Sequence, residues 1–463
     1  MTNSRVKRHR AGSAIAGLAL ALTALVGNVG AAPEAPFDAA AGPAPKSQSV
    51  SVTSPNPATA QRTAGDSSET QAVTALAATT VPTAATTAPH AATTAPATTA
   101  PLAATTAPTA TAAPATKRAA AKRTTAADLP LRYQVGQIFM VGVPVSGSDQ
   151  IARAAITKRH VGNVFLHGRS TAGTAAVAKR VKRLTKLATK SATLGTPLFV
   201  ATDQEGGAVQ VLRGKGFSTI PSAMKQSEYS SKKLTKAAKK WGGQLAKAGV
   251  NLNLAPVLDV VPSAKAAKKN PPIGYFGRNY GYGAKAAKKG IAFGRGMRAA
   301  GVGDAVKHFP GLGRVSRNTD TSAGVVDRVT GAKSGSVKVF AAAIEDGSPF
   351  VMVSSATYTR LDKKHRAVFS AKIIGGLLRG KLGFDGVVIS DDLSAAAAVR
   401  GLKPADRAVK FIAAGGDMVL ASADPTVVPE MVDAVLAKAK KDPKFAARVA
   451  QACDRVLAAK RGL

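Results

Sequence analysis

From about residue 128 onward, short runs rich in β-branched residues alternate with longer stretches whose apolar positions recur at helical spacing. The short runs fall at 137–143, 161–167, 197–203, 251–260, 302–308, 350–355, 386–391 and 417–422. The amphipathic stretches between and after them fall at 151–159, 175–191, 233–248, 284–300, 336–345, 371–382, 404–414 and 427–440, and a last one at 443–460. Eight successive strand–helix units predict a (β/α)8 barrel of the TIM type with no second globular domain. A doubly wound open sheet is the structural alternative, because a strand count alone does not prove closure.

Ionisable residues gather where these runs end. Asp203, Asp259, Lys307, His308 and Asp391 all fall at or just beyond the C-terminal ends of predicted strands, the rim at which a parallel barrel presents its chemistry. The segment Lys307-His308-Phe309-Pro310-Gly311-Leu312-Gly313 and the segment Val388-Ile389-Ser390-Asp391-Asp392-Leu393 are the clearest instances. A cation, an imidazole and carboxylates meeting at one rim suit a sugar ring and the cleavage of its acetal bond. Asp391 is the candidate nucleophile, since a carboxylate ending a buried strand can be held beneath an anomeric carbon. Asp392 is expected to point away and cap a helix starting near Ser394. From spacing alone, both aspartates also read as caps or solvated loop residues. Asp203, followed by Gln204-Glu205-Gly206-Gly207, can accept from two neighbouring hydroxyls, while the glycines let backbone approach closely. Lys307 and His308 can donate to the same ring, and Arg278 lies in the long loop after the fourth strand. The six histidines are thinly spread and show no metal-ligand spacing, so no metal site is expected. The glycines of 309–313 lack the Gly-Lys-Ser/Thr pattern of a phosphate loop.

The chain ahead of the predicted barrel is of another kind. Residues 1–32 combine a basic start, an apolar stretch and small residues, which predicts a signal peptide, with an uncleaved anchor as the alternative. Residues 33–127 are dominated by Ala, Thr and Pro with a recurring Thr-Thr-Ala-Pro, and predict an extended disordered linker. The predicted catalytic domain then occupies 128–463. Its single cysteine, Cys453, excludes an internal disulfide. Secretion with no membrane attachment after cleavage, and a monomer, are the expectations. The net charge of +38 implies attraction to polyanions, and most of it falls on predicted helices. Export and the lack of an aromatic-interleaved basic motif argue against a specific nucleic acid. An anionic cell-wall polymer suits the compartment, beside the alternative of a solvated basic surface with no partner.

Taken together, the segments Thr202–Gly207, 254–260, Arg278 and its neighbours, Lys307–Gly313, 383–393 and 414–418 resemble glycoside hydrolase family 3, in particular its single-domain bacterial β-N-acetylglucosaminidases. The resemblance spans about 131–463. It implies a retaining hydrolase of terminal β-linked N-acetylglucosamine on peptidoglycan fragments or related glycans, working without a cofactor. It makes Asp391 the nucleophile and places Asp203, Arg278, Lys307 and His308 around the terminal sugar. Two departures concern the rest of the site. Where the family has an Asp-Ser-His acid/base, this chain has Asn318-Thr319-Asp320, so Asp320 is the candidate acid/base, another residue serves, or leaving-group protonation is lost. Where a sugar-binding arginine is expected, the chain has Val211, with Arg213 nearby as the candidate. A β-glucosidase or β-xylosidase of the same fold, and a barrel that binds wall glycan without turnover, are the competing expectations.

Overall fold

The structure is a computed structural model that describes residues 124–462, so the predicted leader and nearly all of 33–127 lie outside the described residues. Eight parallel strands form its centre: β1 (Phe139–Pro144), β2 (Asn163–His167), β3 (Phe199–Thr202), β4 (Leu252–Asn253), β5 (Gly303–Phe309), β6 (Phe350–Val353), β7 (Val387–Ser390) and β8 (Val419–Ala421). Their order is β7-β6-β5-β4-β3-β2-β1-β8, and a parallel bridge between Ile389 and Met418 joins the two end strands. The sheet is therefore closed, which removes the open doubly wound alternative. Around it run α1 (Gln150–Arg159), α2 (Gly173–Thr185), α3 (Ser231–Lys247), α4 (Lys289–Arg298), α5 (Gly335–Glu345), α6 (Pro404–Ala413), α7 (Val428–Lys441) and α8 (Pro443–Gly462).

One aromatic contact fixes which side chains face the axis. Phe199 of β3 and Phe350 of β6 meet edge to face inside the barrel, with centroids 5.3 Å apart and planes at 83°. Phe350 is level with Ala305 of β5 and with Val387 of β7. Stepping by two residues from these inward positions reaches Asp203, Lys307 and Asp391 at the C-terminal rim. The same rule that fills the core with apolar side chains thus turns three ionisable ones into the mouth. Outside, α3 and α4 approach closely because Gly296 has no side chain; a Cβ there would lie 2.5 Å from Cβ of Ala238.

The structure corrects several sequence boundaries. The predicted fourth strand, 251–260, is strand only at Leu252–Asn253, followed by one bridge from Val257 to Lys307. Pro256 interrupts it, since proline has no N–H for a ladder. Gln137 ends a helix, Leu131–Gln137, instead of starting the first strand. The stretch predicted as an α-helix at 371–382 is a π-helix over Lys372–Lys381. No helix starts near Ser394; the next one opens at Pro404.

Opposite the mouth, buried acids tie the strand beginnings to the helices. Asp417, fully buried, binds the Arg379 guanidinium, Arg448 Nη2 at 2.6 Å, Arg455 Nη1 at 3.2 Å and the Val388 N–H at 2.8 Å. Asp304 takes Arg298 Nη1 at 2.7 Å and Ser348 Oγ at 2.5 Å. Removing Asp417 would strand three guanidinium groups, two of them largely enclosed. The variant Asp417→Ala is expected to lose roughly 3–5 kcal/mol of unfolding free energy, read as a lower urea midpoint at unchanged slope.

Candidate active site

The mouth is organised around a buried lysine. Lys307 lies on β5, 2 % exposed, and its Nζ sits 2.6 Å from Asp203 Oδ1 and 2.7 Å from Glu205 Oε1. Burial pulls the ammonium's pKa down, but the two carboxylates outweigh that pull and raise it overall, so the charge is kept. Glu205 is shared with a second cation. Arg278 donates through Nε to Glu205 Oε2 at 2.9 Å and through Nη2 to Oε1 at 2.7 Å. Burial alone would raise the Glu205 carboxyl; Arg278 and Lys307 together hold it at about 2. The chain Asp203–Lys307–Glu205–Arg278 is thus fixed in place by ion pairs. A sharp turn delivers it. Gly206 has φ +106°, and a Cβ on it would come within 2.2 Å of the Pro221 carbonyl, so only glycine fits there.

His308 is held from behind. Its Nδ1 lies 2.7 Å from Asp259 Oδ2, while Asp259 Oδ1 accepts from the N–H groups of His308 at 3.1 Å and Leu312 at 2.7 Å. Asp259 is fully buried. Its carboxylate therefore fixes both the ring and the start of the following loop, leaving Nε2 as the ring's other nitrogen.

Asp391 and Asp392 divide two tasks. Asp392 faces away from the mouth: its Oδ1 accepts from Ser394 Oγ at 2.6 Å and from the Ser422 N–H at 2.8 Å, and its Oδ2 from the Ala395 N–H at 2.8 Å. The expected capping function is present, but it closes a turn and fastens β7 to β8 instead of opening a helix. Asp391 is bound to the barrel through its own N–H, 3.1 Å from the Val353 carbonyl, and its Oδ1 accepts the Asp392 N–H at 2.9 Å. Burial raises the Asp391 carboxyl to about 6, with His308 opposing and the negative field of Asp320 adding to the rise.

Asp320 reaches the same space from the loop after β5. That loop is docked on the segment following β7, with Ala397 N–H 3.0 Å from the Asp320 carbonyl and Ala398 N–H 2.9 Å from that of Thr319. Asn318 Oδ1 accepts the Asp320 N–H at 3.0 Å. Although Asp320 is open to solvent, the cleft walls desolvate its carboxyl and raise its pKa; Arg278 opposes, Asp392 adds, and His308 opposes. One pair of electrostatically linked carboxyls, both shifted upward, therefore faces a cluster of fixed cations.

The structure brings together six of the seven residues singled out from the sequence: Asp203, Arg278, Lys307, His308, Asp320 and Asp391. Arg213 is the exception, since its guanidinium donates to the carbonyls of Gly207 at 2.9 Å and Gln210 at 3.3 Å and shows no bond to the cluster. Val211 is buried, and its N–H binds the Asp203 carbonyl at 3.1 Å. Sequence reasoning passed over Glu205, the residue both cations share. Its signal was the two-residue step from Asp203, which in an extended segment returns to the same face. Asp259 was recognised as a rim residue but not as the support of His308. Among the described residues no cluster of three His, Cys, Asp or Glu is arranged to hold a metal ion.

Residues 130–459 match the model of the glycosyl hydrolase family 3 N-terminal domain. A protein of Thioalkalivibrio sulfidiphilus named beta-hexosaminidase is 30 % identical over 327 residues, covering 67 % of this chain and 87 % of that one. Its namesake in Vibrio cholerae is 32 % identical over 299 residues, covering 64 % and 84 %. The crystal structure of a beta-N-acetylhexosaminidase from Beutenbergia cavernae superposes with a TM-score of 0.72 at 56 % identity, covering 72 % of this chain and 99 % of that one. With a closed (β/α)8 barrel and an ionised cluster at its C-terminal mouth, the chain belongs to glycosyl hydrolase family 3 and is a glycoside hydrolase.

Proposed function

We propose that this chain is an exported, retaining β-N-acetylhexosaminidase that removes terminal β-linked N-acetylglucosamine from cell-wall glycans. The observation that carries the reading is the pairing of two raised carboxyls, Asp391 and Asp320, across a mouth lined by Asp203, Lys307, His308 and Arg278. The names of the relatives support the sugar, and the leader-like start of the chain supports export.

In this mechanism Asp203, Lys307, His308 and Arg278 hold the hydroxyls of the terminal ring. An Asp391 oxygen attacks the anomeric carbon as the bond to the leaving oxygen breaks, and that oxygen takes the proton of Asp320. Water then attacks the glycosyl–Asp391 ester, Asp320 takes the water's proton, and Asp391 departs as a carboxylate. Both carboxyl shifts favour this division of roles. The upward shift of Asp320 favours its proton-bearing form, and Asp391 loses its own proton once the pH passes about 6. The outer helices α2, α3 and α4 carry no acidic residue; they form the surface on which an anionic wall polymer is held.

Asp391→Ala is expected to abolish release of p-nitrophenol from its β-N-acetylglucosaminide, with unchanged turnover removing Asp391 from the mechanism; Asp320→Asn slows poor leaving groups far more than p-nitrophenol, and equal slowing would exclude Asp320 as the acid. The rate falls as the pH drops through about 6, where Asp391 becomes protonated; because the Asp320 charge helps raise that value, Asp320→Asn moves this limb to lower pH for a good leaving group. Binding to purified wall weakens with added salt and in Lys232→Glu/Lys236→Glu/Lys239→Glu, while turnover of small substrates stays unchanged; salt-independent binding would discard the polymer surface.

A further inference from the structure

Tyr275 and Phe276 are 68 % and 47 % exposed, the two most exposed aromatic side chains among the described residues. Their rings meet edge to face, with centroids 5.1 Å apart and planes at 83°. Free aromatic surface of this size is costly in water, so its position needs a reason.

The turn Gly274–Phe276 that carries the pair is tied to the active site at both ends. On one side the Pro272 carbonyl accepts from Arg278 Nη1 at 2.7 Å, and Arg278 follows Phe276 by two residues. On the other, Asn270 fixes the turn through its Oδ1, which accepts the Gly274 N–H at 2.8 Å, and through its carbonyl, which accepts the Tyr275 N–H at 3.0 Å. The same Asn270 donates through Nδ2 to the carbonyls of Leu312 at 2.8 Å and Val315 at 2.7 Å. Those two residues belong to the loop that leads to Asp320. The aromatic pair is therefore joined to a cation of the sugar cluster and to the loop of the proton donor.

A proton donor stands beside the oxygen that leaves, and the turn is fastened to the loop that carries it. A pyranose there offers a face of C–H groups that packs against an aromatic ring, and a turn already held by hydrogen bonds loses little freedom when it does. We propose that Tyr275 and Phe276 form a stacking subsite for a pyranose ring on the leaving-group side of the scissile bond. The proposal rests on the glycosidase reading above.

The test compares two substrates of the full-length enzyme: diacetylchitobiose, whose leaving group is a sugar, and N-acetylglucosaminyl fluoride, whose leaving group has no ring. Tyr275→Ala and Phe276→Ala are each expected to lower kcat/KM for the disaccharide roughly tenfold, mainly through KM, and to leave the fluoride unchanged. Tyr275→Phe is expected to keep the disaccharide rate. Equal losses on both substrates would mean damage to the site as a whole, and no loss on either would mean that the rings touch no sugar; each overturns the subsite. Sedimentation of the same variants covers one more outcome: loss of a dimer with unchanged rates would make the pair a contact between copies. Wild-type enzyme inert toward both substrates would overturn the glycosidase reading itself, and the subsite with it.

Discussion

The ammonium of Lys307, enclosed between Asp203 and Glu205, is the interaction on which the mouth depends. An unpaired cation at that depth would lose its proton or force the barrel open. Two carboxylates within 2.7 Å keep it charged, and Glu205 in turn keeps Arg278 in place. Three segments far apart in sequence are thereby fixed to one another: the turn after β3, the loop after β4 and β5 itself. A site so ionised before any ligand arrives needs little rearrangement to bind hydroxyls, which is the advantage of a preorganised polar surface.

The two ends of the barrel use ion pairs differently. At the strand beginnings Asp417 and Asp304 are enclosed by arginines and a serine, with their acceptor capacity turned toward protein groups. At the strand ends the charged groups leave faces open. Asp203 keeps partial exposure, His308 has one ring nitrogen anchored and one not, and Asp391 accepts only the N–H of its neighbour. One end holds the fold, and the other holds chemistry in readiness.

Asp391 and Asp392 show how closely the two purposes can lie. Adjacent residues at a strand end point to opposite sides, so one carboxylate enters the mouth while the other gathers N–H and hydroxyl donors from the turn and from β8. The satisfied carboxylate is structural because its donors leave it no reason to react. The other is buried with few donors, and that burial, with a negative neighbour in Asp320 adding to it, lifts its pKa to about 6. The Asp320 loop completes this arrangement through backbone bonds to Ala397 and Ala398, which hold its main chain beside the segment that follows β7.

The linear sequence determined the repeating strand–helix pattern, the number of units, and the clustering of ionisable residues at strand ends, because side-chain periodicity is a local property of the chain. It also located two departures from the family's pattern, at Asn318-Thr319-Asp320 and at Val211. Closure of the sheet through Ile389 and Met418 was a tertiary matter, since no local signal tells an eighth strand to meet the seventh. So was the shortening of the fourth strand, where Pro256 costs a ladder bond that only the neighbouring strand reveals. The same holds for Glu205 and Asp259. Their importance lies in contacts to Arg278 across 73 residues of chain and to His308 across 49, and a partner at that range is visible only after the barrel has brought the strand ends together. Arg213 makes the converse point: near in sequence to the expected place, it is held by the carbonyls of Gly207 and Gln210. Periodicity chose the face on which each charge stands, and folding chose which charges meet.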